Sequence, residues 1–178
     1  MSVEELLRSR IVDVVDFPTP GVVFKDISPL LADHDAFSAA IDAVAAHHLG
    51  HRVDKVVGIE ARGFILAAPV AYRLGAGFIP IRKPGKLPGP TYSTAYALEY
   101  GENVLQVHRD AFAPGERVLI VDDVLATGGT AAAADRLVQA AGAEVVGFSV
   151  LLELGFLSGR AALVAEHPGV PVHALLIC

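Results

Sequence analysis

Two aspartates followed by a threonine- and glycine-rich turn stand out in the string Val121-Asp122-Asp123-Val124-Leu125-Ala126-Thr127-Gly128-Gly129-Thr130. The apolar run at 117–121 predicts a strand that delivers both carboxylates to the C-terminal edge of a parallel sheet, where ligands bind in open α/β folds. A helix opening at 126–130 adds unpaired backbone N–H groups and the positive end of its dipole. Gly128 and Gly129 let that backbone approach a phosphate without a Cβ in the way, and Thr127 and Thr130 add hydroxyl donors. Carboxylates repel a bare phosphate, so the aspartates need a different partner, and ribose hydroxyls are suitable donors. The spacing fits a sugar 5-phosphate, with the diol at Asp122 and Asp123 and the phosphate on Ala126, Thr127, Gly128, Gly129 and Thr130. The alternative is a plain strand–turn–helix whose acidic residues favour the helix dipole. No Gly-Lys-Ser/Thr follows, so a Walker loop does not fit, and a dinucleotide fingerprint is absent.

Three cations fall within Arg82-Lys83-Pro84-Gly85-Lys86, directly after the strand-like run 78–81. Placed at a sheet edge they could neutralise a pyrophosphate and stabilise it as a leaving group; a solvated turn is the alternative. Arg62, in Glu60-Ala61-Arg62-Gly63, sits where another strand gives way to a helix. Residues 84–97 contain Pro84, Gly85, Pro88, Gly89, Pro90, Ser93 and Thr94, too many breakers for a long helix. A loop of that length in a compact domain is functional or disordered, and a lid that excludes water from an activated ribose explains it. Tyr92, Tyr96 and Tyr100 recur within and beside it and are expected to pack or close, without chemistry of their own. Phe24 offers an aromatic face, although a single Phe more commonly belongs to a core. His47, His48 and His51 lack an intervening Glu and a third ligand, so a solvated helix end is expected and no metal site. No G-x-S-x-G pattern supports a serine hydrolase.

The elements that must hold these groups follow from periodicity. Residues 4–15 place Leu6, Leu7, Ile11, Val14 and Val15 on one helical face. Asp33 caps a second helix over about 35–49, which ends at Gly50, and 63–74 reads as a third, closed by Gly75. Strands are expected at 55–59, 78–81, 104–107, 117–121, 144–152 and 172–177, with an Ala-rich helix from 130 to 141. Alternating strands and helices imply a mostly parallel sheet covered on both faces. The 178 residues, 53% hydrophobic and 19% charged, suit one domain with a sizeable core. Mean hydropathy is +0.49, yet no uncharged run approaches the roughly 20 residues of a spanning helix. One cysteine, Cys178, excludes an intrachain disulfide or a cysteine cluster, and no signal peptide is visible, so a soluble, cytoplasmic chain is expected. A net charge of −6 argues against a general nucleic-acid surface.

The string VLIVDDVLATGGT closely resembles the phosphoribosyl pyrophosphate (PRPP) motif of type I phosphoribosyltransferases. FPTPGVVFKDISPLL, GIEARGF, PIRKPGKLPGPT and LEYG are similar to segments of the adenine-specific branch, collinear from about residue 17 to 154. The resemblance implies an α/β, Rossmann-like sheet flanked by helices in a single domain over 1–178. A small N-terminal hood would span about 1–34, the core about 35–178, and a flexible lid loop about 84–101. It implies phosphoribosyl transfer from PRPP to adenine, giving AMP and pyrophosphate. Another purine such as xanthine, or a PRPP-sensing regulator, are the alternatives. A regulator would carry a DNA-binding domain, for which the region before residue 17 leaves no room.

By the same resemblance, Arg62, Arg82, Lys83 and Lys86 clasp pyrophosphate, the Arg62 loop often through a strained or cis peptide bond. Glu99 exchanges a proton with the purine. Adenine stacks on Phe24, backbone at Val23 and Lys25 reads its edge, and Leu154 forms the opposite wall. Family members often have arginine where this chain has Lys25. Mg²⁺ is implied, riding on pyrophosphate with few direct protein ligands, and so is a homodimer.

Overall fold

The computed structural model describes residues 1–97 and 102–178. In chain order its elements are α1 (Val3–Arg8), β1 (Val12–Val15), β2 (Val23–Asp26), α2 (Ser28–Ala32), α3 (His34–His47), β3 (Lys55–Ile59), α4 (Arg62–Leu74) and β4 (Gly77–Ile81). Then come β5 (Thr91–Ala97), β6 (Glu102–His108), β7 (Arg117–Leu125), α5 (Gly129–Ala140), β8 (Glu144–Glu153), α6 (Gly159–Glu166) and β9 (Val172–Ile177). Strands β4, β3, β7, β8 and β9 lie side by side in that order, every pair parallel. This is the expected Rossmann-like sheet.

Successive side chains of a strand point to opposite faces, and here both faces are apolar. Val118 and Ile120 of β7 pack with Val57, Phe148, Leu137 and Leu163, so α5 and α6 cover that side. Leu119 and Val121 pack with Val56, Leu66, Val70, Ile41 and Leu7 on the other side, beneath α1, α3 and α4. Capping sets several boundaries: the Asp33 carboxylate accepts from the N–H groups of Asp35 and Ala36 at the start of α3. Gly75 ends α4 with φ at 66°, a conformation glycine adopts without a Cβ clash. No helix of the described residues is long and apolar enough to cross a membrane.

Three expectations need correction. Residues 4–15 are not one helix: α1 stops at Arg8, and β1 pairs antiparallel with β2, Asp13 opposite Lys25 and Val14 opposite Phe24. The valines at 12, 14 and 15 are β-branched, and an available strand partner overrides the helical spacing. The stretch 84–97 is not all loop, because 91–97 forms β5, antiparallel to β6. Tyr92 and Tyr96 are an even number of residues apart, so they share one strand face and pack against the core. A bridge between Arg82 and Gln106 ties this hairpin to the end of β4.

The third correction concerns the histidines. His48 is 5% exposed, and its Nε2 lies 2.8 Å from Ser149 Oγ on β8. His47 stacks face to face on His173 of β9, ring centroids 3.8 Å apart. The end of α3 is therefore docked on the sheet through His48 and is not simply solvated, while His47 and His51 stay exposed. Burial, with the neighbouring histidines, lowers the His48 pKa to about 4.

Candidate active site

Strand β7 continues past Val121 to Leu125, so Asp122 and Asp123 lie within it, Asp122 opposite Val150 of β8. The expected end at residue 121 was set by the loss of apolar character, whereas the ladder to β8 carries the strand further. The Asp123 carboxylate is 7% exposed and accepts a hydrogen bond from Arg62 Nε. The Asp123 N–H donates to Asp122 Oδ1 at 2.9 Å. Burial and the adjacent Asp123 carboxylate push the Asp122 pKa well above the usual carboxylate range. Gly63 lets α4 come this close: a Cβ there would lie 2.7 Å from Asp122 Oδ1 and 3.3 Å from the Val121 carbonyl oxygen.

The turn into α5 is held from behind. Gly128 adopts φ of 90°, in the left-handed region that favours glycine. A Cβ on Gly128 would sit 2.8 Å from the Gly159 carbonyl oxygen, and one on Gly159 only 2.1 Å from that of Ala126. The first turn of α6 is thus packed backbone to backbone against the loop. Thr127, Gly128, Gly129 and Thr130 border a small cavity of about 60 Å³. It shares Asp122, Ala126 and Thr130 with a larger one of about 520 Å³.

The larger cavity brings together Val23, Phe24, Lys25, Arg62, Lys83, the two aspartates and Leu154. Phe24 is edge-on to Phe17, with centroids 5.2 Å apart. The Arg62 guanidinium carbon lies 5.2 Å from the Phe24 ring centroid, in cation–π range. Lys25 Nζ turns to the adjacent strand, 2.7 and 2.8 Å from the two Asp13 carboxylate oxygens. Its side chain is engaged there. The Leu154 N–H donates to the Leu125 carbonyl at 2.9 Å, fixing that wall to the end of β7.

The cations are less uniformly placed. Lys83 lines the cavity; Arg82 and Lys86 do not. Arg82 Nε and the Lys83 N–H both donate to Glu60 Oε2 at 3.1 Å, and Arg82 Nη1 donates to the Lys86 carbonyl at 3.3 Å. Burial alone would raise the Glu60 pKa, but the Lys83 N–H and Arg82 outweigh it and hold it low. The peptide bond Glu60–Ala61 is cis, the geometry expected before Arg62. Glu99 lies outside the described residues.

A phosphoribosyl transferase domain model matches residues 30–161. The chain is 62% identical over 175 residues to adenine phosphoribosyltransferase of Streptomyces galbus, covering 98% of this chain and 96% of that one. It belongs to the adenine phosphoribosyltransferase family. The family's fold recurs in the crystal structure from Rhodothermus marinus, with a TM-score of 0.92 and 49% identity over 99% of this chain and 98% of that one. The Saccharomyces cerevisiae family member, crystallised with adenine and an imino-altritol bisphosphate, gives 0.91 at 36% identity, with 98% of each chain covered.

The cavity also has lining residues for which no binding role was read from the sequence. Glu60 and Asn103 border the site, as does Tyr96, which was expected only to pack or close. Glu60 had a usable signal, since it directly follows an apolar strand and precedes Arg62. Asn103 had none, because its place depends on β6 folding back beside β5.

Proposed function

We propose that this chain transfers the phosphoribosyl group of PRPP to adenine, forming AMP and pyrophosphate. The observation that carries the reading is one cavity lined jointly by Phe24, Leu154, Asp122, Asp123, Ala126 and Thr130. An aromatic face, a pair of carboxylates and a helix-opening loop match a base, a ribose diol and a phosphate. The yeast family member crystallised with adenine supports adenine as the base.

In the reaction the purine nitrogen attacks ribose C1 as the bond from C1 to the pyrophosphate oxygen breaks, through a transition state with positive charge on the ribose ring. Asp122 and Asp123 hold the hydroxyls and favour that charge. Loop 126–130 anchors the 5-phosphate. Arg62 and Lys83, which line the cavity, neutralise the departing pyrophosphate, Arg62 exchanging its Asp123 partner for it, with Arg82 and Lys86 reinforcing them from beyond that lining. Glu99 exchanges a proton with the base. Mg²⁺ bound through pyrophosphate oxygens would add charge neutralisation. The acidic pair in the same cavity as Arg62 and Lys83 fits a cation held mainly by substrate and water, with Asp122 and Asp123 the carboxylates available to it. The chain is further read as a cytoplasmic homodimer.

The test is incubation with PRPP, Mg²⁺ and adenine, hypoxanthine, guanine or xanthine in separate reactions, following nucleotide formation. AMP from adenine is expected. Turnover of another base alone would replace the substrate, and turnover of none would favour a PRPP-sensing regulator.

A further inference from the structure

We infer that Arg160 is a positioning residue, which braces the span between the loop that takes the 5-phosphate and the wall against which the base lies. The inference rests on the function proposed above. Arg160 Nε is 3.0 Å from both carboxylate oxygens of Glu153, and Nη2 donates to Oε2 as well. Its Nη1 donates to the Val172 carbonyl. All three guanidinium nitrogens thus donate, and the partner Glu153 is 6% exposed.

Each end of this pair is one residue from a wall of the site. Glu153 ends β8, and the next residue, Leu154, lines the large cavity. Arg160 follows Gly159, the residue in backbone contact with Ala126 and Gly128 of the phosphate loop. The chain between the walls runs through 155–158, all exposed. It includes Ser158 with φ of 55°, a left-handed conformation uncommon for residues other than glycine. Residues 155–157 form a single 3₁₀ turn, the Leu157 N–H on the Leu154 carbonyl and the Gly155 N–H on the Cys178 carbonyl, while the Leu154 N–H ties the base wall to Leu125. The Glu153–Arg160 pair crosses the root of this turn and adds a side-chain tie that reaches the α6 side, behind the phosphate loop.

AMP reports this distance because it ties base and phosphate together through one ribose, whereas adenine and ribose 5-phosphate each find their own position. Affinities for the three ligands would be measured by calorimetry on the wild type, on Arg160→Lys, and on Glu153→Gln/Arg160→Met. The lysine keeps the charge and loses the fork; the double variant leaves no unpaired buried charge. Both should weaken AMP by at least about tenfold while each fragment weakens by less than about threefold. Equal weakening of AMP and the fragments, as general damage would give, overturns the inference, as does unchanged AMP affinity. If the double variant does not fold, Arg160→Lys supplies the same comparison. Wild-type protein that fails to bind AMP overturns the proposed function and this inference with it.

Discussion

Arg62 links the two halves of the site through a single side chain, bound to Asp123 on one side and lying over Phe24 on the other. On the proposed reading both contacts would give way to substrate, and Glu60 pairs with Arg82 in the same manner. Two residue-scale predictions follow from chemistry and from contact. Glu99→Ala should lower kcat by about 10²–10⁴-fold, the usual range for lost acid–base catalysis, with PRPP affinity nearly unchanged. Steady-state rates beside PRPP titration check this, and small equal effects on both would remove Glu99 from the chemistry. Gly159→Ala would set a Cβ against the Ala126 carbonyl, backbone atoms that cannot rotate away. The KM for PRPP should rise by at least about tenfold because misplacing a binding loop by a fraction of an ångström is enough. An unchanged KM would show that α6 does not support the loop.

At the scale of elements, α3 is fastened to the sheet by His48 on Ser149 and by His47 on His173. The helix pattern was legible in sequence, as was its Asp33 cap; the docking was not, because Ser149 and His173 come from strands a hundred or more residues away. His48 has a folded pKa of about 4 against an ordinary 6.5, so the unfolded chain binds more protons between those values. Stability should then be level above pH 6.5 and fall as the pH drops toward 4, by about 3 kcal/mol at most from this group. His173, also lowered by burial, acts with the same sign. Thermal melts across pH 4–8 should show His48→Gln with a shallower acid limb, and identical limbs would refute the assignment. Strand β5 and the hood strand β1 were likewise hidden, since each exists through a partner strand and without strong apolar periodicity of its own, whereas β6 was expected from its apolar run at 104–107.

For the whole molecule, the family resemblance leads us to propose a homodimer. Val12, Val15, Ile65 and Tyr72 in the N-terminal half are exposed apolar surface in the isolated chain. Sedimentation or light scattering should return about twice the 18.6 kDa of one chain; a mass of one chain would refute this. The central sheet was readable from sequence because buried parallel strands are continuous apolar runs, and helix ends carry Asp33, Gly75 and Gly142 as local signals. The ribose-phosphate loop was readable for the same reason: its glycines, threonines and aspartates are consecutive, so one segment holds the whole pattern. Tertiary structure alone decided what depends on distant segments meeting. It joined Arg62 to Asp123, set Glu60 beneath Arg82, and placed Gly159 behind the phosphate loop. Local sequence encodes conformation within a few residues, whereas these contacts arise only when the sheet order brings separate strand ends to one edge.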